Sequence, residues 1–429
     1  MKNFLRYTSL NVIAMIGLSC YILADTFFVA NGIDMNGLAA LNLAIPVYSF
    51  INGTGLMFGI GGATKYTICM AREKKEEANQ FFTSTLLVGL VVGILFFLVG
   101  ILFSPSLSRM LGSDSDTFEL TNSYLRVILY CSPLFITNNI LIAFVRNDGY
   151  PQNAMVGMLL GSLVNIVLDY IFIFWFHMGM MGAALATGCA PLVSIIYLTV
   201  VVFRPKKNQF VFTRVKNYIA NIRTTITLGT SSFITEVSAG VIIIVFNMVI
   251  LNMEGNRGVA AYGIIANISL VATAVFTGIA QGIQPIISES YGKKDIKKLK
   301  QYIHLAFISS LVVSVVLYVV ILLFAKDIAM IFNKDKDLLL NQMAVLGLLI
   351  YFTGFFFAGI NIISSSLCSS IEKPIRSFLL SITRGFVLII PILWLFSSFF
   401  GMRGVWMVFP VCELLTLSLS IYYYRGYFL

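Results

Sequence analysis

Residues 39–81 read AALNLAIPVYSFINGTGLMFGIGGATKYTICMAREKKEEANQF, and residues 260–302 read AAYGIIANISLVATAVFTGIAQGIQPIISESYGKKDIKKLKQY. The two stretches align without a gap. Each opens on Ala-Ala, carries a glycine-rich centre and closes in a charged loop. Further on, Tyr150-Pro151 pairs with Lys373-Pro374, and Gly179-Met-Met-Gly182 pairs with Gly401-Met-Arg-Gly404. The offset stays near 222 residues, so the chain is a tandem duplication.

The repeated unit is a membrane unit. Of the 429 residues, 58% are hydrophobic and only 11% charged, too few charges to cover a soluble surface. The apolar residues run continuously for about 20 positions at a time, the length of a bilayer-spanning helix. Lipid leaves no partner for an open sheet edge, and continuous rather than alternating runs exclude a barrel. Twelve spans are expected, near 8–30, 38–69, 81–103, 121–145, 153–175, 182–203, 222–250, 259–290, 302–324, 341–368, 376–398 and 404–424.

The loops give the orientation. With the N-terminus inside, 20 of the 29 Lys and Arg residues fall in cytoplasmic segments and 6 in external loops. Cytoplasmic loops collect positive charge, so the alternation supports an even number of spans and places both termini inside. Lys2 and Arg6 before an apolar stretch resemble a signal peptide, but the hydrophobic pattern continues and the segment reads as an uncleaved first helix. Six spans per repeat give both halves the same orientation, as parallel repeats.

The expected fold is therefore an all-α polytopic membrane protein, with twelve transmembrane helices in two six-helix bundles around a central cleft. A first lobe covers 1–203, a basic linker lying along the cytoplasmic interface covers 204–221, and a second lobe covers 222–429. Facing bundles suit alternating access, in which the cleft opens to one side at a time.

Several classes of function drop out. The net charge of +10 is that of cytoplasmic loops rather than of a nucleic-acid surface. Six scattered cysteines form no CxxC pair, and His177 and His304 lack metal-ligand spacing, so no metal centre or cofactor is expected. No HExxH or GxSxG signature points to an enzyme.

The informative residues are acids where acids are costly. A carboxylate at the centre of a membrane helix costs about 2.5–3.5 kcal/mol on insertion scales. Asp25, Asp169, Glu236 and Glu413 all fall well inside spans. Asp25 follows Tyr21 by four residues and Asp169 follows Asn165 by four, so each pair shares a helix face. Both aspartates come late in helices running outward, which sets them at similar depth. Burial opposes the charged form of a carboxyl group, so an enclosed acid can exchange a proton near neutral pH. The same oxygens suit a sodium ion, and a purely structural polar cluster is the plainer alternative.

Glu236, mid-way along the seventh span, is a candidate for the cleft or for a second proton. Arg384 has Glu413 as a candidate partner. Lys65 and Glu289, near span ends, read as structural groups snorkelling to water. Pro46, Gly53, Gly55 and Pro285 permit bending, whereas Gly59, Gly61 and Gly62 allow close packing.

Taken together, several motifs resemble the MATE (multidrug and toxic compound extrusion) family over nearly the whole chain. They are Asp25-Thr-Phe-Phe-Val, Gly37-Leu-Ala-Ala-Leu41, Gly59-Ile-Gly-Gly-Ala-Thr64, Arg146-Asn-Asp-Gly149 with Pro151, Asn165-Ile-Val-Leu-Asp169-Tyr-Ile-Phe-Ile, Gly182-Ala-Ala-Leu-Ala-Thr187 and Gly404-Val-Trp406. The resemblance implies a twelve-helix antiporter that expels cationic, amphipathic organic compounds against an inward proton or sodium gradient. In the DinF-like branch the cation site lies in the N-terminal lobe. Carried over by motif, it implies Tyr21, Asp25, Asn165, Asp169 and Thr187.

The chain departs from that branch at Leu18, where a glutamine is frequent, and at Tyr170, where proline follows the aspartate. Its tenth span lacks the acid that another branch uses. The expected protein is a monomer in the inner (cytoplasmic) membrane, with small organic molecules and the bilayer as its partners. A lipid-linked saccharide flippase of the same superfamily is the main alternative, although such a protein tends to need a cationic cleft.

Overall fold

The structure is a computed structural model that describes residues 1–33, 35–202, 210–332 and 337–428. Its regular elements among the described residues are all helices, in the order α1 Lys2–Gly32, α2 Met35–Ala71, α3 Lys75–Met110, α4 Phe118–Tyr130, α5 Ser132–Asn147, α6 Pro151–Tyr170, α7 Gly179–Val202, α8 Tyr218–Gly292, α9 Ile296–Phe332, α10 Leu338–Tyr351, α11 Phe355–Ser370, α12 Pro374–Ile382 and α13 Ile389–Phe428. Among the described residues, nine continuous helical stretches are long and apolar enough to cross a membrane, and α4 with α5, bent by 49°, makes a tenth span. Two of the nine are double. α8 turns back at Gly255 and α13 at Gly401, both at positive φ, where only glycine is free of a Cβ penalty. That resolves twelve spans.

The duplication persists in the backbone. Left-handed residues recur in pairs at Glu73 and Lys294, Gly149 and Glu372, and Gly179 and Gly401, each pair closing a turn between spans. The break between α4 and α5 at Cys131 likewise has its counterpart in the single 3₁₀ turn Phe352–Gly354 between α10 and α11. Spans four and ten, expected as continuous helices, are thus each interrupted at the same point of the repeat. π-helical turns end α6 (Ile171–Trp175) and follow α12 (Thr383–Val387).

The chain forms two main apolar cores. One gathers residues between Val29 and Ala184. The other gathers residues between Phe246 and Cys412, with Phe4 of α1 reaching into it. The glycines of α2 pack rather than bend. Gly55 and Gly59 lie against Asn139 of α5, and Gly62 against Thr85 and Phe144.

The end of the bundle carrying Arg72, Lys74, Lys293, Lys294 and Lys373 is here termed the basic end. At the other end Asp337 caps α10, accepting from the Leu339 and Leu340 amides at 2.9 and 3.2 Å and from Arg257 Nε at 2.7 Å. The capping amides and the guanidinium hold its carboxyl below the usual carboxylate range.

The connector between the halves packs on the first half. From Phe210 it runs extended against α3. The Val211, Thr213 and Lys216 amides donate to the side chains of Asn79, Thr83 and Gln80, and Phe210 stacks on Phe82 at 4.8 Å. The linker cations Arg204, Lys206 and Lys207, the external-loop cations Lys334 and Lys336, and the end of the sixth span at 203 lie outside the described residues.

Candidate functional site

The first-half acids meet because two glycines let their helices approach. Gly17 of α1 rests against Leu159 of α6, and Gly32 rests against Ile173 and Phe174 of the π turn. A side chain at either position would press on the end of a neighbouring side chain and force it to shift. Asp25 lies between those two contacts on α1, and Asp169 lies between them on α6. The two carboxyl groups come within hydrogen-bonding reach of each other. Asp169 closes the last regular turn before the π segment, an irregularity that recurs at functional sites.

The surroundings are polar and enclosed. Asp25, Asp169, Asn165 and Thr187 are all buried. With its amide oriented to suit both neighbours, Asn165 donates to Asp169 Oδ2 at 3.1 Å and accepts from Thr187 Oγ1 at 3.3 Å. One oxygen of each aspartate, Asp25 Oδ1 and Asp169 Oδ1, is buried with no hydrogen-bond partner among the described residues. A hydrogen bond between two carboxyl groups needs a proton on one of them. The unpartnered oxygens offer a proton or a small cation the same place.

Tyr21 lies one turn before Asp25, and its hydroxyl meets that of Tyr48 at 3.1 Å. The Tyr48 ring stands edge-on to Phe135 of α5 at 5.4 Å. Tyr124 of α4, which packs against α7, is buried as well. The structure therefore gathers all five residues expected in the first half and adds Tyr48 and Tyr124. Neither tyrosine was visible beforehand, because no spacing rule links α2 or α4 to α1 and α6.

Glu236 stands apart from the pair. Its Oε1 accepts from Asn52 Nδ2 of α2 at 2.8 Å, and Asn52 Oδ1 accepts from Asn139 Nδ2 of α5 at 2.8 Å. This chain of three crosses from the second half to the first.

Arg384 does pair with Glu413, through Nη2 at 2.6 Å and Nε at 3.1 Å. Asn361 Nδ2 completes the carboxylate by donating to Oε2 at 2.8 Å. Glu413→Gln would leave the guanidinium buried with no counter-charge, a loss of about 3–5 kcal/mol. A large fall in melting temperature is expected, with most of it recovered in the double variant Arg384→Met, Glu413→Met. A double variant as unstable as the single one would exclude the pair as the cause.

Polar contacts between the halves gather towards the basic end. Glu372 accepts from Lys65 and Arg72 of α2, so Lys65, expected to snorkel, instead belongs to an ion pair between the halves. The Arg146 side chain, 2% exposed, donates to Gln281 Oε1 at 2.8 Å and to Asn11 Oδ1 at 3.2 Å. Asn147 and Thr64 meet Gln284 at 3.0 and 2.8 Å. Closer to the middle, Gly61 lies against the Thr225 carbonyl and Gly229 against that of Met57, so the α2 and α8 backbones touch.

Twelve spans built as two copies of one bundle define a membrane transporter rather than an enzyme. A model of the MatE family matches residues 11–171 and 232–395, one stretch in each half. The chain belongs to the MatE family.

Among similar proteins, "Multidrug export protein MepA" of Staphylococcus saprophyticus is 26% identical over 390 residues, covering 90% of this chain and 84% of that protein. Its namesake in Staphylococcus aureus strain MSSA476 is 26% identical over 389 residues, with the same coverage. A solved "Outward-facing conformation of a multidrug resistance MATE family transporter of the MOP superfamily" matches the fold with a TM-score of 0.93 at 23% identity, over 99% of this chain and 95% of that one. A MOP superfamily transporter from Pyrococcus furiosus matches at 0.92, with the same identity and coverage.

Proposed function

We propose that this protein exports organic, cationic amphipathic compounds in exchange for an inward-moving cation, by alternating access. The observation that carries the reading is the enclosed Asp25–Asp169 pair, with one unpartnered oxygen on each carboxyl group. A cation binding there changes the charge of the first half from within. The similarity to proteins named as multidrug exporters supports the substrate class. The proton is the preferred coupling ion, since a shared proton satisfies two adjacent carboxyl groups. Sodium is the alternative, with Asn165 and Thr187 as additional oxygen donors.

In this reading the basic end faces the cytoplasm, where Lys and Arg collect, and both termini lie there. The protein works as a monomer. Its gathered contacts, Glu372 with Lys65 and Arg72 above all, close the cytoplasmic side while the opposite side exchanges substrate for the ion. Glu236, bonded across the halves through Asn52, is positioned to meet a cationic substrate. The coupling needs little energy, because ~1.4 kcal/mol is tenfold in affinity.

The test is transport in proteoliposomes under separately imposed proton and sodium gradients, with a panel of organic cations. Uptake driven by one gradient and abolished by its collapse is expected. Transport indifferent to both gradients would overturn the antiport reading.

A further inference from the structure

At the basic end of the second half a shallow surface recess lies between α11, α12 and α13, lined by Ser364, Cys368, Lys373, Arg376, Ser420 and Tyr423 among others. Its two cations are without acid partners among the described residues. The nearby carboxylate of Glu372 is taken by Lys65 and Arg72. Among the described residues Arg376 has the Tyr423 carbonyl, at 3.4 Å, and the face of the Tyr423 ring, 5.4 Å from the centroid. Most of its guanidinium donors remain available to a ligand.

With the basic end at the cytoplasmic surface, as proposed above, the recess stands at headgroup level. It lies where spans ten to twelve meet the basic end, and the neighbouring helix face is outward and aliphatic. Ile375 is 73% exposed, and Leu379, one turn further along α12, is exposed as well. Tyr422 is also exposed, in the amphipathic position that tyrosines take at a membrane interface. A basic pocket between helices at this depth fits an anionic lipid headgroup.

The duplication supplies an internal control. The turn Tyr150-Pro151 is the first-half copy of Lys373-Pro374, so Asn153 stands where the second half has Arg376. Asn153 is directed to the Tyr197 hydroxyl at 3.4 Å. The fold does not require cations at this turn, and only the second half has them.

We infer that this recess binds the phosphate headgroup of an anionic phospholipid from the surrounding leaflet, held by Lys373 and Arg376. The full chain would be purified, reconstituted with phosphatidylcholine alone or with added phosphatidylglycerol, and examined by native mass spectrometry and thermal unfolding. The wild type should retain phosphatidylglycerol and melt higher in its presence. Lys373→Gln with Arg376→Gln should bind it roughly tenfold more weakly and lose the rise in melting temperature. A control pair at another basic site, Lys297→Gln with Lys298→Gln, should retain both. Equal retention by the recess variant would overturn the assignment. So would an identical melting shift with inorganic phosphate in phosphatidylcholine alone, because the ligand would then be the free ion.

Discussion

Asp25→Asn is expected to reduce gradient-driven efflux at least tenfold while leaving the protein folded. Asparagine keeps the shape of the side chain and can still hydrogen-bond Asp169, so the contacts of α1 with α6 at Gly17 and Gly32 should survive. What disappears is the second carboxyl group. With it goes the proton that two adjacent acids can share, or one of the two charges that would hold a sodium ion. Asp169→Asn should behave alike, since the two groups act on each other. Efflux from loaded vesicles, measured beside the size-exclusion profile, separates loss of coupling from loss of fold. A well-folded Asp25→Asn protein whose efflux still follows the gradient would remove this residue from the mechanism.

The second large effect is expected at Gly229. A methyl group there runs into the Met57 carbonyl of α2, and backbone cannot step aside as a flexible side chain can. Overpacking of this kind costs about 1–3 kcal/mol, all of it charged to the conformation in which α2 and α8 touch. The balance between closed and opened forms at the basic end should shift roughly 5- to 150-fold. Thr64, fully buried against Gln284, is a suitable reporter. In a background free of other cysteines, Thr64→Cys should be shielded from a thiol reagent when position 229 is glycine. It should react once that position is alanine, with transport falling in parallel. Unchanged labelling and unchanged transport would show that the contact does not set the balance.

Much of this architecture was legible in the residues alone. The gapless repeat beginning at Ala39 and Ala260, together with the length of the apolar runs, defined twelve spans and their grouping. The depth argument paired Asp25 with Asp169, because two late positions on helices running the same way must lie at similar height. The irregularities were harder to see. The interruption at Cys131 has Pro133 nearby, and its copy at Phe352–Gly354 has a glycine instead, so neither presents a shared breaker. Lys65 looked like a group reaching for water because its partner, Glu372, is 307 positions away. Tyr48, Tyr124, Asn52 and Asn139 escaped for the same reason: local periodicity says which face a residue is on, not which distant helix will be packed there.

The extended connector has a mechanical consequence. Through Asn79, Gln80 and Thr83 the first half grips the backbone of the strap that leads to the second. The free tether therefore shortens to the step between Lys216 and Tyr218, where α8 begins. With so little slack, the start of α8 stays moored to the start of α3.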